Sequence, residues 1–358
     1  MRAPLRAPRR ALPRPAAAVI AGLLLASGLA ACGGEDSVKP GDAVPARDTS
    51  QFDDGTQSTL TLPIGRLEVY LGKPVESLPS KDTLEPGTLR AGSDEIFVPI
   101  TWQYDTTTTN RFTDFLGDDP ATPRVDLVAD GASYRLSPPD TRAEGVESFY
   151  LLVSGQAQEL SLRVDYDGVT QTVDLRSGER DTGAAQPLYD LKPARRATRS
   201  CAADTSFKPA GAGKVPTYDC TVSSPVRLPY AAGEWAPAGT TFVGVTVTTT
   251  LTRYDEVAPD LSSSGVYYGT GVTPSFQLGS KKAVQVLRDP NQTVCPDAST
   301  AACTTTFHVI FPDPGRGADA RRLRGTEVFS LELASSVSEG RGDDDPTTLT
   351  ARIDTRLR

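Results

Sequence analysis

Hydrophobic residues in this chain alternate with polar ones over short segments, which is the pattern of a half-buried β-strand. Residues 67–71 read Leu-Glu-Val-Tyr-Leu, and residues 96–102 place Ile, Val, Ile and Trp on one face. The dipeptide Asp-Gly at 130–131 and at 167–168 separates such segments and favours two-residue hairpin turns. No segment sustains a helical repeat for three turns, and 29 prolines are spread along the chain. The sequence therefore predicts an all-β fold.

Five hydrophobic blocks of the N-terminal half recur in the same order in the C-terminal half. The matching ranges are 92–102 with 239–247, 122–127 with 273–278, 148–153 with 306–311, 159–164 with 327–333, and 172–176 with 352–356. Each match alone is weak because strands resemble one another, but their shared order favours a tandem duplication. Each copy supplies about six or seven strands, which suits an antiparallel sandwich.

The N-terminus has the parts of an export signal. Several arginines precede an apolar run over 16–29, and Leu-Ala-Ala-Cys ends this region at Cys32. The ending resembles the lipobox of bacterial lipoproteins. The resemblance implies cleavage directly before Cys32 and a lipid on its thiol, which attaches the chain to a membrane. A plain secretory signal and an uncleaved anchor are the alternatives, and Arg9-Arg10 leaves twin-arginine export open beside Sec export.

Both halves are similar to the immunoglobulin-like (Ig-like) sandwiches of cell-envelope lipoproteins from GC-rich Gram-positive bacteria. In such domains a strand of the Phe-Val-x-Val type follows a glycine, and here Phe97-Val98 and Phe242-Val243 begin such strands. The resemblance implies a fold and a location, with no catalytic residues. We expect a signal peptide (1–31), a flexible tether (32–58), a first Ig-like sandwich (59–176), a linker (177–200) and a second sandwich with two disulfides (201–358).

Four cysteines besides Cys32 lie in the C-terminal half: Cys201, Cys220, Cys295 and Cys303. An even number in an exported chain predicts disulfides. Three pairings are open, and Cys201–Cys220 with Cys295–Cys303 is the economical one because each bridge then stays within a local segment. No pair has Cys-x-x-Cys spacing and the chain has one histidine, so we expect neither a metal nor a cofactor.

The net charge is −8, and removal of a signal that carries five arginines and no acid would make it −13. An acidic chain with scattered basic residues argues against a nucleic-acid partner, which requires a basic patch. It also argues against a peripheral hold on anionic lipid, so the lipid on Cys32 would have to supply membrane attachment.

Few residues are candidates for catalysis. His308 is the only histidine, so a Ser-His-Asp arrangement would need it, but the strand alternation places it on an outward face and indicates a surface histidine. Asp165 and Asp167 are the nearest approach to paired carboxylates, but they flank a hairpin tip, where aspartate favours turn geometry. We expect a protein that is not an enzyme.

Acidic and tyrosine-rich segments are the remaining candidates for binding. Residues 117–120 and 342–346 are acidic but lack the spacing of a calcium loop, so solvated turns are the expectation. The Arg-Gly-Asp tripeptide at 341–343 is expected to be a chance match. A candidate binding loop over 253–272 carries three tyrosines among glycine and serine, Tyr254, Tyr267 and Tyr268. An ordinary connection is the alternative for that loop.

These features predict a lipid-anchored, extracytoplasmic, non-enzymatic binding or structural protein of the cell envelope. The expected partners are the membrane, reached through Cys32, and an envelope protein or a wall glycan. The alternative function is a carbohydrate-binding or accessory subunit that recruits an enzyme to the cell wall.

Overall fold

Strands dominate the computed structural model, which describes residues 38–106, 110–117, 119–139, 145–191, 197–258, 261–295, 301–315, 317, 319–337 and 347–357. Strands account for 57% of these described residues and helices for 4%, and the sheets are antiparallel. The all-β prediction is confirmed. Cys32 and the predicted signal peptide lie outside the described residues.

The described residues of the first half form twelve strands. They are β1 (Ala43–Pro45), β2 (Thr56–Leu62), β3 (Gly65–Leu71), β4 (Ser77–Leu78), β5 (Leu89–Arg90), β6 (Glu95–Asp105), β7 (Arg124–Ala129), β8 (Ala132–Leu136), β9 (Glu147–Ser154), β10 (Leu160–Tyr166), β11 (Val169–Asp174) and β12 (Arg180–Asp181). Two short helices are α1 (Asn110–Thr113) and α2 (Gln186–Tyr189).

Thirteen strands lie in the described ranges of the second half. They are β13 (Thr198–Ser200), β14 (Thr205–Lys208), β15 (Lys214–Ser223), β16 (Val226–Leu228), β17 (Tyr230–Ala231), β18 (Glu234–Trp235), β19 (Phe242–Val257), β20 (Ser264–Leu278), β21 (Lys281–Lys282), β22 (Gln285–Arg288), β23 (Cys303–Phe311), β24 (Arg322–Val337) and β25 (Thr348–Arg356). Single 3₁₀ turns lie at Gly183–Ala185 and Ala202–Asp204.

Two five-stranded sheets enclose the core of the first half. One has the order β1-β9-β6-β3-β2 and the other the order β12-β11-β10-β7-β8. Inward side chains of both sheets form one hydrophobic core that includes Trp102, Leu127, Leu151 and Tyr166. This half is an antiparallel sandwich, and the period-two pattern arises because alternate residues face this core.

The tether prediction is wrong for residues 38–58. In this segment β1 pairs with β9, with Val44 opposite Tyr150, and β2 joins the edge of the same sheet. Val44 and Ala46 pack with Phe97 and Leu152 in a small core on the outer side of that sheet. The hydrophobic pattern is only two residues long here, so polar neighbours conceal it in the sequence.

Both predicted hairpins are present. Asp130 and Gly131 have φ angles of 45° and 84°, and Asp167 and Gly168 have φ angles of 50° and 80°. Two consecutive residues with positive φ form a type I′ turn, whose twist matches that of paired strands. The Asp-Gly dipeptides therefore fix the pairing of β7 with β8 and of β10 with β11.

One curled sheet of eleven strands forms most of the second half. The sheet bends along β19, which pairs first with β23 and then, at residues 254–257, with the start of β20. On its other side β20 pairs with β24 along its whole length, from Ser264 to Leu278, and β24 pairs with β25. Buried side chains from both arms form a second core, so this half is sandwich-like although its layers belong to one sheet.

Each half packs aromatic side chains against the other half. The hairpin of β17 and β18 belongs to the second half, but its Tyr230 and Trp235 pack against Tyr166 in the core of the first half. We call this hairpin the clamp. In the other direction, Phe112 and Phe115 of the first half pack against residues of β19 and β23. All described residues accordingly belong to one compact unit, residues 38–358.

The predicted linker contributes to this packing. Helix α2 lies within it, and the Tyr189 hydroxyl donates to Gln171 Oε1 at 2.6 Å and accepts from the Thr61 amide at 2.9 Å. Residues 177–191 therefore fold onto the first sandwich, whereas the sequence predicted an irregular linker in which Tyr189 and Leu191 could form an edge strand; Tyr189 instead ends helix α2.

Strands that carry the repeated blocks have matching neighbours in the two halves. β6 pairs with β9 as β19 pairs with β23, and β7-β10-β11 has the order of β20-β24-β25. The registers differ, because Phe97 pairs with Leu152 whereas Ile310, the match of Leu152, pairs with Gly244 instead of Phe242. The order of neighbours agrees with a duplication, and the duplication itself stays a prediction.

Candidate ligand-binding cavity

A cavity of about 600 Å³ opens at one edge of the first sandwich, between the edge strands β1 and β8. The side chains of Trp102, Leu136 and Phe149 supply an apolar floor, and Leu84 lies at the mouth with 63% of its surface exposed. β8 ends its sheet, and among the described residues no strand pairs with its outer edge. The outer edge of β1 is already used in part, because the Pro45 carbonyl oxygen accepts from the Leu84 amide at 3.3 Å and Ala46 forms a bridge with Thr83. The cavity therefore combines apolar surface with one open strand edge, that of β8.

Arg47 fixes one wall of the cavity. Its Nε donates to the carbonyl oxygen of Lys81 at 2.8 Å, and its Nη2 donates to those of Ser80 and Thr83 at 2.6 and 2.7 Å. Planar guanidinium groups hold several acceptors in a fixed geometry. The residues after β1 are thereby tied to the turn before Leu84.

A buried hydroxyl pair supports the same wall from inside. Ser148 Oγ lies 2.6 Å from Thr101 Oγ1 and donates to the carbonyl oxygen of Thr49 at 2.7 Å. Ser148 Oγ also accepts a hydrogen bond from the backbone N–H group of Gln51 at 3.0 Å. Because the buried hydroxyls are satisfied, the segment after β1 has a fixed position on the sheet.

Glu147 orients the tryptophan of the floor. Trp102 lies on β6 and Glu147 on β9, where the two residues are paired. The Trp102 Nε1–H group donates to Glu147 Oε2 at 3.2 Å, while the indole ring is 2% exposed and packs edge-on against Phe149. Glu147 is exposed, so it places a carboxylate at the rim.

Arg135 adds a cation on the opposite rim. Its Nε donates to Asp126 Oδ1 at 2.6 Å, and Arg163 Nη2 donates to Asp126 Oδ2 at 3.2 Å. Burial raises the pKa of Asp126, but the hydrogen bonds and charges of the two arginines outweigh burial and lower that pKa below its usual value. Asp126 thus stays charged and keeps Arg135 in position.

The described lining of the cavity is mainly apolar and contains no histidine or cysteine. An apolar cavity with a few fixed polar groups is the usual form of a ligand site. We regard it as the candidate functional site of the described part of the chain.

The predicted tyrosine loop is a long β-hairpin. Tyr254 lies in β19 and Tyr267 in β20, the two residues are paired, and they are 0% and 1% exposed. Only Tyr268, the next residue, is half-buried and faces the other side. The binding-loop prediction is wrong for Tyr254 and Tyr267, because the strands continue beyond the sequence signal and turn both rings into the core.

Both expected disulfides are present. Cys201 is bonded to Cys220 and Cys295 to Cys303, with sequence separations of 19 and 8 residues. Cys201, Cys220 and Cys303 are buried in the second core. The economical pairing is confirmed, and two disulfides indicate an oxidising, extracytoplasmic environment.

His308 is not on the surface, which corrects the prediction. It is 8% exposed, its Nδ1 lies 3.1 Å from Thr246 Oγ1 and its Nε2 lies 3.7 Å from Asp289 Oδ2. The side chain does point away from the second core, but Phe115 of the first half covers that face, with a centroid distance of 5.5 Å. Asp289 directly follows the neighbouring strand β22, and Phe115 comes from the other half of the chain, so the alternation within β23 alone does not reveal either contact.

Asp165 and Asp167 have the predicted turn roles. Asp165 accepts from the Gly168 amide at 3.3 Å and from Thr170 Oγ1 at 3.1 Å. Asp167 Oδ2 accepts from the Tyr230 hydroxyl at 3.0 Å and thus also binds the clamp.

Several predicted features lie outside the described residues, including Cys32, residues 341–343 and the acidic segment 342–346. In the acidic segment 117–120, residue 118 is likewise outside the description.

Sequence reasoning missed Arg47 and Glu147 as cavity residues. Arg47 lies in the segment assigned to the tether, and the only local signal is the alternation of Val44 and Ala46 with polar or exposed neighbours. Glu147 directly precedes the hydrophobic block 148–153, so the sequence indicates that it lies at the end of a strand. The sequence does not indicate that its hydrogen-bond partner is Trp102.

Comparison with protein-family models, curated proteins and solved structures found no match to this chain. Among the described residues, no helix is long and apolar enough to cross a membrane. No group of three or more histidine, cysteine or acidic side chains in the described ranges is arranged to hold a metal ion.

Proposed function

We propose that this chain is a lipid-anchored, extracytoplasmic binding protein that holds an extended, mainly apolar segment of another envelope protein in the cavity of its first sandwich. The cavity between β1 and β8 is the observation on which this proposal rests. An extended segment can add its backbone to an open strand edge while its side chains enter an apolar floor. The membrane anchor rests on the lipobox resemblance at Cys32.

Carbohydrate binding, the alternative function, has less support. Sugar rings are commonly bound on exposed aromatic faces. Among the described residues, however, the exposed large hydrophobic side chains are all aliphatic: Leu84, Val215, Leu261, Val284, Val294 and Leu333. Leu84 is the one of these that stands at the candidate cavity.

Leu84 permits a test of the site that leaves the core intact. Short extended peptides are selected against the full chain from a random library, and their affinities are then measured by calorimetry. Leu84→Asp should lower these affinities about tenfold or more, because it places a charge at the apolar mouth. Leu261→Asp changes another exposed leucine, 80% exposed, and should leave the affinities unchanged. Equal affinities for wild type and Leu84→Asp would place the ligand elsewhere.

The anchor is tested separately by metabolic labelling of cells with a radioactive fatty acid. Wild type should take up label and fractionate with membranes, whereas Cys32→Ser should do neither. Label on the Cys32→Ser protein would show that the lipobox reading is wrong, and it would leave the cavity unaffected.

A further inference from the structure

The outer face of one arm of the second half carries mostly positive charge, in contrast to the net charge of −8 of the chain. This face is formed by the ends of β20 and β24 with β21 and β25. Its outward cations are Lys282, Arg322, Arg324, Arg352 and Arg356. Among the described outward positions of these segments, Asp354 is the single acid. We call this surface the basic face.

Strand register brings the cations close together. Lys282 is opposite Gln277, Gln277 is opposite Arg324, and Arg324 is opposite Asp354. Arg352 stands two residues before Asp354 on the same strand. Neighbouring strands are about 5 Å apart and alternate residues along a strand about 7 Å apart, so the cations form a continuous surface.

A recess of about 430 Å³ is sunk into the basic face. The polar side chains around it belong to Ser275, Gln277, Lys282, Arg324 and Thr326, and Phe276 contributes to its apolar lining. Lys282 and Arg324 are the charged residues of its described lining. A second recess of the same volume on the other side of Arg324 includes one carboxylate, Asp319.

The charges at the first recess are only partly compensated within the described part of the chain. Hydrogen bonds from Arg322, whose Nε and Nη2 donate to Asp354 at 2.6 and 2.7 Å, contribute most to lowering the pKa of Asp354, and the charge of Arg324 opposite it adds to this effect. Arg324 donates from Nη1 to the Gly279 carbonyl oxygen at 3.0 Å, which leaves other N–H groups of its guanidinium for a ligand. Lys282 and Arg352 have no ion pair with any described residue.

We propose that the basic face binds an extended polyanion, a chain with repeated phosphate or carboxylate groups. One anionic group occupies the recess between Lys282 and Arg324, and the next ones lie along Arg352 and Arg356. Guanidinium groups bind phosphate and carboxylate with paired hydrogen bonds, and the hydroxyls of Ser275 and Thr326 add donors. A flexible chain can enter the recess, whereas a flat bilayer surface cannot, so a polymer fits better than a lipid headgroup.

The test uses linear polyphosphate as the probe and the full chain as the protein. Affinity is measured by fluorescence anisotropy of labelled polyphosphate at several salt concentrations. The double variant Lys282→Gln with Arg324→Gln should bind at least about tenfold more weakly, and the slope of log affinity against log salt should fall by about 1.5. The matched control, Lys73→Gln with Arg90→Gln, removes two exposed cations of the first half and should bind as wild type does.

Unchanged affinity in the Lys282/Arg324 variant, or an equal loss in the control, would overturn the proposal. Binding of phosphatidylglycerol vesicles that depends on Lys282 and Arg324, without binding of polyphosphate, would also overturn it and assign the face to a membrane. Leu84→Asp should leave polyphosphate binding intact, so this result and that of the peptide experiment are independent.

Discussion

The indole Nε1–H group of Trp235 donates a hydrogen bond to the carbonyl oxygen of Tyr166 at 3.0 Å. Trp235 belongs to the clamp of the second half, and Tyr166 is the last residue of β10 in the first half. Tyr230 completes the contact, because its ring lies edge-on to both Tyr166 and Trp235. The first core is thus closed by residues that follow it in the chain by more than sixty positions.

Removing the clamp should uncouple the two halves. Trp235→Ala combined with Phe115→Ala deletes the aromatic contact in each direction, and such deletions cost about 3–5 kcal/mol each when the ring is well packed. Wild type should unfold in one calorimetric transition and the double variant in two. Trp235→Phe keeps an aromatic ring but loses the hydrogen bond and part of the indole packing, so it should lose about 1–3 kcal/mol and keep one transition. A single transition with an unchanged midpoint in the double variant would contradict the coupling.

Gly244 tests the same interface from β19. A Cβ atom at this position would lie 2.7 Å from Phe115 Cε1 and 2.8 Å from Leu228 Cδ1. Gly244→Ala should therefore lower the free energy of unfolding by about 1–3 kcal/mol, since a packed interface has no room for the methyl group. In β20, Gly271 has open space around the same atom, and Gly271→Ala serves as the control. Urea unfolding measures both, and equal midpoints would show that the interface is loose.

The sequence predicts local features of this fold well, because they depend on neighbouring residues. Asp130-Gly131 specifies its own turn, and the short sequence separation between Cys295 and Cys303 favours their pairing. Features that depend on distant segments were not predictable. The exposure of His308 is decided by Phe115, almost two hundred positions earlier, and the cavity by the meeting of β1 with β8. The binding-loop prediction was wrong for a related reason. The strands β19 and β20 extend through Tyr254 and Tyr267, and this extension, which the composition of the loop does not show, turns both rings inward.

Glu327 should make the stability of the protein depend on pH. Its side chain is 0% exposed in the second core, with Oε2 3.5 Å from the Tyr218 hydroxyl, while Oε1 has no hydrogen-bond partner among the described atoms. Burial raises the pKa of Glu327 to about 7, although hydrogen bonds from Thr249 and Tyr218 oppose the rise. The folded protein therefore holds a proton that the unfolded chain releases above its ordinary pKa of 4.5.

The free energy of unfolding should consequently fall as pH rises from about 4.5 to 7, because in this window the folded state binds more protons. Glu327→Gln removes the charge, so it should flatten this fall and be more stable than wild type at pH 8, by a margin on the order of 3 kcal/mol. Urea unfolding from pH 5 to pH 8 measures the effect.

The control Asp174→Asn should act in the opposite sense. A backbone hydrogen bond from Ser177 lowers the pKa of Asp174, so the contribution of Asp174 to the free energy of unfolding is lost on acidification. Parallel profiles for wild type and Glu327→Gln would show that Glu327 stays charged in the core.

The two disulfides should contribute unequally to stability. In the loop-closure account a bridge across 19 residues contributes about 3 kcal/mol and one across 8 residues about 2.5 kcal/mol. Cys201 and Cys220 also join β15 to the segment before β14, and the Cys201 amide donates to the Cys220 carbonyl oxygen at 2.8 Å, so their loss frees backbone as well. Replacing this pair by alanine should lower the urea midpoint more than replacing Cys295 and Cys303. Cys201 and Cys220 are both buried, whereas Cys295 is only partly so, and the second pair therefore loses less packing when it is replaced. A larger loss for the second pair would mean that the segment before β23 stabilises the core more than the N-terminal bridge does.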